Sequence, residues 1–536
     1  MLNYKLGETI IWEVIVEMNL KESYLLGIDL GTTNVKGNIM DADGNLIATA
    51  SRSLGKIFPG QNMIEQDPEK WWTSTIAILK YMTALAGEDV VSNIKGISIS
   101  SQCPTLLPLD EAGVPVHNAI IYADGRSVAE TDEVTNKIGF DKFVNIVGGQ
   151  PSVAFLPGKL LWFKRNLPEE FDRTCTIMQA NSYLNYKLTG ELTIDIDTAS
   201  RTQLMNLSTL KWADEIGEAI GVNMDDIMPP VKKCTDIIGY VTKKAAAETG
   251  LAEGTPVVAG CSDAMASMYA IGLSKLGDAG ESAGTSSLIF ASAPAASAPD
   301  VPVVTRPVGL ETMPFVYDGP IGTTGAALRW YVEQMGEADI ASSIEAGKNI
   351  YDYMNKVSLK INPGADGLFF YPYMAGGERA PLWNSHARGM FIGLNLTTDR
   401  AHIIRSIFEG TAFALRHVMD AIKDAGGVAE NLRITGGGSK SMTWNKIKAS
   451  MLHIPVYVLD DISGDVPFGD ILLAGHAVGI FPDLSDAVKK MVKIKEIVEP
   501  VPEWEEAYDK LYPYYLEMYK HLDGDLKSLQ GTVASF

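Results

Sequence analysis

The chain has 536 residues, 46% hydrophobic and 21% charged, which suits a globular protein with a large core and, at roughly 100–200 residues per domain, predicts two or more domains. Its 45 basic and 66 acidic residues leave a formal charge of −21. That field repels phosphodiester backbones and anionic lipid and so excludes nucleic acid and membrane surfaces as partners; a small anionic ligand stays open, because backbone amides and a metal ion override net charge locally. Cys103, Cys175, Cys234 and Cys261 lie far apart and form no CxxC pair, which argues against a disulfide framework or zinc site and for a reducing, cytoplasmic setting, and no apolar run is long enough to cross a membrane.

The leading MLNYKLGETIIWEVIVEMNLKES carries too many acids and too short an apolar block for a secretory signal. It reads either as a short extra helix or strand or as a start placed upstream of Met18. Then YLLGIDL and NVKGNIMDADGNLIATAS predict strands with a turn at Asp43-Gly44. DPEKWWTSTIAILKYMTALAG has an acidic start, Pro68 near the first helical position and a helical apolar period. IKGISISS is a short β-branched strand, and TLLPLDEAGVPVHNAIIYADGRS a strand–turn–strand unit. From KIGF to about Leu210 the chain reads mostly helical, GTPVVAGCSDAMASMYAIG as a buried strand running into a helix, and DAGESAGTSSLIFASAP as a strand pair followed by an Ala/Ser/Pro-rich loop. Helices and strands keep alternating through GAALRWYVEQMG, GLFFYPYMAG, DRAHIIRSIFEGTAFALRHVMDAIKDAG, NLRIT, IPVYVLD and GDILLAGHAVGI, and a helix over PEWEEAYDKLYPYYLEMYKHL closes the chain. Such alternation implies α/β layers. GTTN at Gly31 has an echo in GTSS at Gly284, each beside an apolar strand, which suggests two related halves.

Three stretches carry chemistry. In DLGTTN, Gly31 lets the backbone turn tightly and approach a ligand. Amide N–H groups and the Thr32 and Thr33 hydroxyls can donate to phosphate oxygens, and Asp29 can hold a hydrated magnesium ion, which prefers one or two carboxylates plus phosphate. An ordinary hairpin with a solvated acid is the alternative. In VVAGCSDAMASM, Asp263 follows a strand and a small-residue turn, and it reads either as a helix N-cap or as a general base for a substrate hydroxyl. In NLRITGGGSKSMTWNKI, Gly436, Gly437 and Gly438 remove side chains where a base and ribose, or simply a tightly packed helix, must lie. No Gly-Lys pair is followed by Ser or Thr, so there is no Walker A loop.

RGMFIGLNLTTDRAHIIRSIFEG resembles the second signature of the FGGY carbohydrate kinases, its fixed slots filled by Gly389, Phe391, Gly393, Leu394, His402, Ile403, Ser406, Ile407, Phe408 and Glu409. LPGKLLWFKRN resembles the first signature in its Lys159 and Trp162, though the spacing before Lys159 departs from it. The resemblance runs from about Leu25 to about Phe481 and implies an α/β fold of two actin-like (ribonuclease H-like) domains around a central cleft. On that reading residues 1–23 are an extension, 24–260 a sugar-binding domain, 261–500 a nucleotide-binding domain and 501–536 a helical tail. It implies transfer of the ATP γ-phosphate to a sugar or polyol hydroxyl, with magnesium. DLGTTN then matches the first phosphate loop, with Asp29 and Asp263 at the metal and Thr32, Thr33 and Asn34 at phosphate. Gly284, Thr285 and Ser286 match the second loop, Gly325 and Arg329 a nucleotide-side segment, Gly437 and Ser441 the adenosine loop, and Asp263 the catalytic base.

For the acceptor, the resemblance places Gln102, Cys103, Pro104, Asp124, Arg126 and Asp263 at the substrate. Xylulokinases usually read Gln-Met-His-Gly where Gln102, Cys103, Pro104 and Thr105 stand, and Asn where Ala264 stands, so two polar contacts expected for xylulose are missing. Glycerol kinases would show Arg-Glu at Cys103 and Pro104. YADGRS, with Tyr122 in a tryptophan's slot, is similar to the WAD-x-RS segment of gluconate kinases. The expectation is a ketose or polyol kinase of xylulokinase type, D-xylulose to D-xylulose 5-phosphate, with a gluconate or other sugar-acid kinase as the rival and a non-catalytic nucleotide-binding regulator as the alternative of another class. Members of the family commonly form homodimers.

Overall fold

The apolar run at Tyr24 becomes a central strand. Tyr24–Leu30 is hydrogen-bonded on both edges, antiparallel to Asn34–Asp41 and parallel to Ile94–Ser101, and six of its seven residues are buried, so both faces are covered and it carries no polar alternation. Asn34–Asp41 turns back as Leu46–Ser53 through the expected Asp-Gly turn, where Asp41 Oδ1 accepts from the backbone N–H groups of Asp43 and Asn45 at 2.8 and 3.0 Å. Helix Pro68–Ala86 starts where Asp67 accepts from the Glu69 N–H and Pro68 supplies a pre-set φ. It lays Trp71, Ile78, Leu79 and Met82 on the sheet, and each such side chain is worth ~1.5–3 kcal/mol when fully buried.

The structure is a computed structural model that describes residues 23–296, 302–310, 312–460 and 463–533. The readings for residues 1–22 and for the last part of the Ala/Ser/Pro-rich loop lie outside them. The chain forms two compact units. The first is built mainly from the chain up to Ser274, with Asp465–Met491 returning to it, and the second includes Thr312–Gly464 and the chain after Val492.

In the first unit the strands run in the order Leu46–Ser53, Asn34–Asp41, Tyr24–Leu30, Ile94–Ser101, Pro256–Val258, Ile237–Tyr240. In the second the order Met313–Ile321, Ser287–Ala293, Asp278–Ala283, Asn431–Thr435, Val456–Leu459, Ile494–Val498 repeats that plan: three antiparallel strands, two parallel ones, then an antiparallel edge. The Gly31 and Gly284 loops occupy the same station, each joining the central strand to its hairpin partner, and each glycine N–H closes its loop at 2.9 Å, on Asn34 O and Ser286 O respectively. The short echo in the sequence marks a repeated architecture.

The returning segment matters for the site. Helix Val466–Ala477 packs its Ile471, Leu472, Leu473 and Ala474 fully into the first unit, and Asp470 is carried inside with them. In the second unit, helix Arg400–Asp424 is closed at its start by a capping box from Asp399 and His402 and runs through the core. The last helix, Pro502–Val533, extends beyond the expected stretch and is part of this unit's core: Tyr508, Tyr512, Tyr515 and Tyr519 repeat at helical spacing and are buried.

Candidate active site

Asp29 is the penultimate residue of the central strand of the first unit. Its carboxylate accepts a long 3.3 Å bond from Ser100 Oγ, across the parallel pair Asp29–Ser100. Burial holds its pKa well above the usual carboxylate value, and the negative charges of Asp263 and Asp465 push it further, with the Ser100 hydroxyl and the Lys36 ammonium opposing them. Below lies Asp470, fully buried, its two oxygens accepting from Ser98 Oγ at 3.1 Å and Ser100 Oγ at 2.7 Å. Burial raises its pKa as well, with the Asp29 charge adding to the effect.

Asp263 opens helix Asp263–Ile271, yet it does not cap it. The cap is Ser262, whose hydroxyl accepts from the Met265 N–H at 3.2 Å. The Ser262 N–H and hydroxyl both donate to the buried Asp197 Oδ2, at 2.9 and 2.5 Å. The N-cap alternative for Asp263 therefore falls, and the side chain keeps one backbone bond, from the Ala264 N–H to Oδ1 at 2.7 Å. Burial lifts its pKa to about 6; the Arg201 guanidinium and the Ala264 N–H pull it down and Asp197 pushes it up. A half-buried carboxylate with one oxygen free and a pKa near neutrality is suited to proton transfer.

Of the acceptor-side residues, Gln102 is buried behind the site. Gln66 Nε2 donates to Thr32 O and Gly55 O, so Gln66 Oε1 must face Gln102 Nε2, 2.5 Å away, and Gln102 Oε1 is left with no protein partner. The Gln179 side chain makes a two-bond clamp on the Thr105 backbone, 2.8 and 2.7 Å, and thereby fixes the Cys103-Pro104 bend. The Cys103 thiol is pushed up by burial and faces Thr198 O at 4.0 Å, so it is a packing group rather than a nucleophile.

Asp124 and Arg126 are bound to each other. Arg126 Nη2 reaches Asp124 Oδ2 and Glu65 Oε1, both at 2.8 Å, and the Asp124 oxygens also accept from the Ile64 and Arg126 N–H groups. Lys159 and Trp162 of the first signature hold this strand end in place. Lys159 Nζ binds the carbonyls of Val153 and Ala154 at 2.8 Å and Tyr122 O at 3.4 Å, and the Trp162 ring lies 4.7 Å from the Arg126 guanidinium. Tyr122 is partly exposed beside the Gly31 loop, 3.4 Å from Thr32 Oγ1. Thr33 and Asn34 are exposed, the Asn34 side chain accepting from Ser53 Oγ at 3.1 Å.

Among the described residues no group of three or more His, Cys, Asp and Glu side chains is placed to hold a metal ion. Asp29 and Asp263 are near enough for each charge to act on the other, which leaves a pair of carboxylates as the oxygen donors. Such a set fits magnesium, which keeps several waters and takes one or two carboxylates.

In the second unit, Gly284, Thr285, Gly325, Arg329, Gly437 and Ser441 all line one cavity of ≈ 550 Å³; Ser286 does not. Its floor needs glycine at residue 325, where any Cβ would stand 2.4 Å from Gly284 O. Asn355, Tyr351, Phe408 and Trp444 complete the wall, and Ser441 Oγ donates to Asn355 Oδ1 at 2.5 Å. Asn355 and Tyr351 were not legible as site residues. Their helix, Ile350–Ser358, gives only an amphipathic period, whereas Phe408 sits inside the second signature. Glu409 of that signature is structural: it accepts from the Gly364 N–H, Arg405 Nε at 2.6 Å and Tyr508 Oη at 2.9 Å.

The family models for the N-terminal and C-terminal domains of the FGGY family of carbohydrate kinases match residues 24–270 and 281–478. The chain belongs to the FGGY family of carbohydrate kinases. It is 30% identical to a xylulose kinase of Lactococcus lactis, covering 93% of this chain and 97% of the relative, and 27% identical to a gluconokinase of Bacillus subtilis, covering 94% and 96%. Among solved structures, the xylulose kinase from Rhodospirillum rubrum superposes with a TM-score of 0.85 at 28% identity, covering 94% of this chain and all of that one. The two units are thus the actin-like α/β units of FGGY kinases, and the protein is a phosphotransferase acting on an alcohol group of a small-molecule sugar or polyol. Among its described residues no helix is long and apolar enough to cross a membrane.

Proposed function

We propose that this FGGY kinase transfers the γ-phosphate of ATP to a hydroxyl of a ketose or polyol, in the manner of a xylulokinase, with D-xylulose as the first candidate acceptor. The observation that carries the proposal is Asp263, relieved of capping by Ser262 and held at a pKa of about 6. The Ala264 N–H occupies Oδ1, so Oδ2 is the atom that accepts the proton of the attacking hydroxyl. The cavity of the second unit takes the nucleotide, its adenosine against Ser441, Gly437 and Trp444 and its phosphates at Gly284, Thr285 and Gly325. Thr32 and Thr33 donate to the transferring phosphoryl group. Asp29, with Asp263, is the residue that would hold magnesium, and the ion, when bound, neutralises phosphate charge. All four cysteines are free, in keeping with a reducing, cytoplasmic setting.

A sugar acid such as gluconate is a second reading, and one observation favours it. The Arg201 guanidinium, 2.8 Å from Asp197, acts electrostatically on both Asp263 and Cys103, and a cation at that place suits an anionic acceptor. An ADP-release screen with ATP and magnesium over ketoses, polyols and sugar acids separates the two. A ketose or polyol as best acceptor supports the first reading and gluconate the second, while activity on glycerol alone would overturn the inference drawn from Cys103 and Pro104.

A further inference from the structure

The second unit contains an ion pair that the transfer chemistry does not require. Lys448 and Glu281 are each 1% exposed, with Nζ 2.7 Å from Oε2. A buried pair of this kind gives weak net stability, because taking both charges out of water costs about as much as their attraction returns, and well-packed apolar residues of the same size often do as well. Its surroundings point elsewhere. Glu281 lies on strand Asp278–Ala283, which runs directly into the Gly284 loop. Its second oxygen, Oε1, accepts from Ser287 Oγ at 2.6 Å; Ser287 Oγ lies 3.1 Å from Thr324 Oγ1, and Thr324 Oγ1 lies 3.4 Å from Gly284 O. On the other side, Lys448 Nζ lies over the face of Trp444, 4.4 Å from the ring centre, and Trp444 is a wall of the same cavity. The Trp444 indole N–H donates to Thr411 Oγ1 at 3.1 Å, so the ring cannot swing away freely. Gly436, in the left-handed region at φ 86°, packs against Ala283, where a Cβ would stand 2.6 Å from Ala283 O.

We infer that the Lys448–Glu281 pair is a positioning element that ties the Gly284–Ser286 phosphate loop to the Trp444 wall, so that one rigid framework reads both ends of the nucleotide. Lys448 does not line the cavity; it acts through Glu281, Ser287 and Thr324 on the loop and through the indole on the wall. The Ser287 hydroxyl donates to Glu281, so the Thr324 hydroxyl donates back to Ser287 Oγ, and the Thr324 N–H donates to Thr285 O at 3.1 Å, which carries the orientation of Glu281 to the loop. The inference rests on the reading that this cavity holds the nucleotide.

The test compares binding of adenosine and of ADP by calorimetry, together with the steady-state split for ATP. In the double variant Lys448→Met with Glu281→Leu, no charge is left unpaired and thermal stability should be near that of the parent. ADP affinity should fall about tenfold, the scale of one charge-assisted hydrogen bond, while adenosine affinity stays within about threefold, because Thr411 still holds the Trp444 indole when Lys448 is gone and only the loop's register to the wall is lost. KM for ATP should rise in step with kcat at saturation little changed. A stable double variant that binds ADP as the parent does, or loses adenosine and ADP equally, would overturn the inference. Ser287→Ala, which leaves the ion pair intact and cuts the hydroxyl chain, should weaken ADP about threefold and adenosine not at all; unchanged ADP affinity there overturns the route through Thr324. Should the parent protein bind adenosine and ADP equally weakly, the placing of the nucleotide in this cavity fails, and the inference with it.

Discussion

In the first unit the central strand reaches its glycine loop through Asp29, two residues before Gly31; in the second, the residue at that station before Gly284 is Ser282. The contrast extends to three buried acids on each side. Glu281, Glu409 and Asp278 of the second unit each meet a cation, at 2.7, 2.6 and 3.1 Å. Asp29, Asp263 and Asp470 of the first unit have serine hydroxyls and a backbone N–H instead, and burial drives all three upward. One strand plan thus supports two electrostatic regimes. Where charge is compensated, the carboxylate builds structure; where it is left uncompensated, a proton or a cation has a place to go.

Removing the uncompensated acid that transfers the proton is the harshest way to break this contrast. Asp263→Asn should lower kcat by roughly 10²-fold or more, the scale of lost general-base catalysis, and leave ADP affinity within about twofold. A coupled ADP-release assay beside calorimetric ADP binding measures both, and near-normal turnover would remove Asp263 from the chemistry.

A gentler probe is pH. Because Asp263 must be ionised to accept a proton and its pKa is raised to about 6, log kcat/KM should fall with unit slope below that pH, about tenfold per unit. Stability moves oppositely for this group. The unfolded chain ionises at the ordinary carboxylate value, so the raised pKa costs stability fully above about 6, and the cost vanishes as pH drops through the ordinary range. A pH–rate profile flat through pH 6 would contradict the assignment.

The smallest expected effect lies on the compensated side. Ser441 caps helix Met442–Leu452 by accepting from the Trp444 N–H at 3.1 Å and also donates to Asn355 in the cavity. Ser441→Ala should cost about 1 kcal/mol of stability in chemical denaturation and raise KM for ATP a few-fold with kcat unchanged.

Much of this site was readable along the chain. The Gly31 and Gly284 loops, the strand before Asp29 and the glycine cluster at 436–438 follow from local rules, because a turn, a strand and a tight approach each restrict neighbouring residue types. What could not be read were partners distant in sequence. Asp470 reaches Ser100 across 370 positions, on a helix whose own pattern looks like plain core. Asp124 and Arg126 match a substrate strand in sequence; only the fold shows that they bind each other and that Arg126 also binds Glu65, 61 positions away.

The sequence by itself determined most of the strands and helices, the two glycine loops and the family, since each is written in short-range periodicity and residue order. Only the tertiary structure decided that Ser262 takes the cap and leaves Asp263 free, that Asp470 stands beneath Asp29, and that Lys448 meets both Glu281 and Trp444. These depend on which buried groups find partners, and burial and pairing are properties of segments brought together by folding.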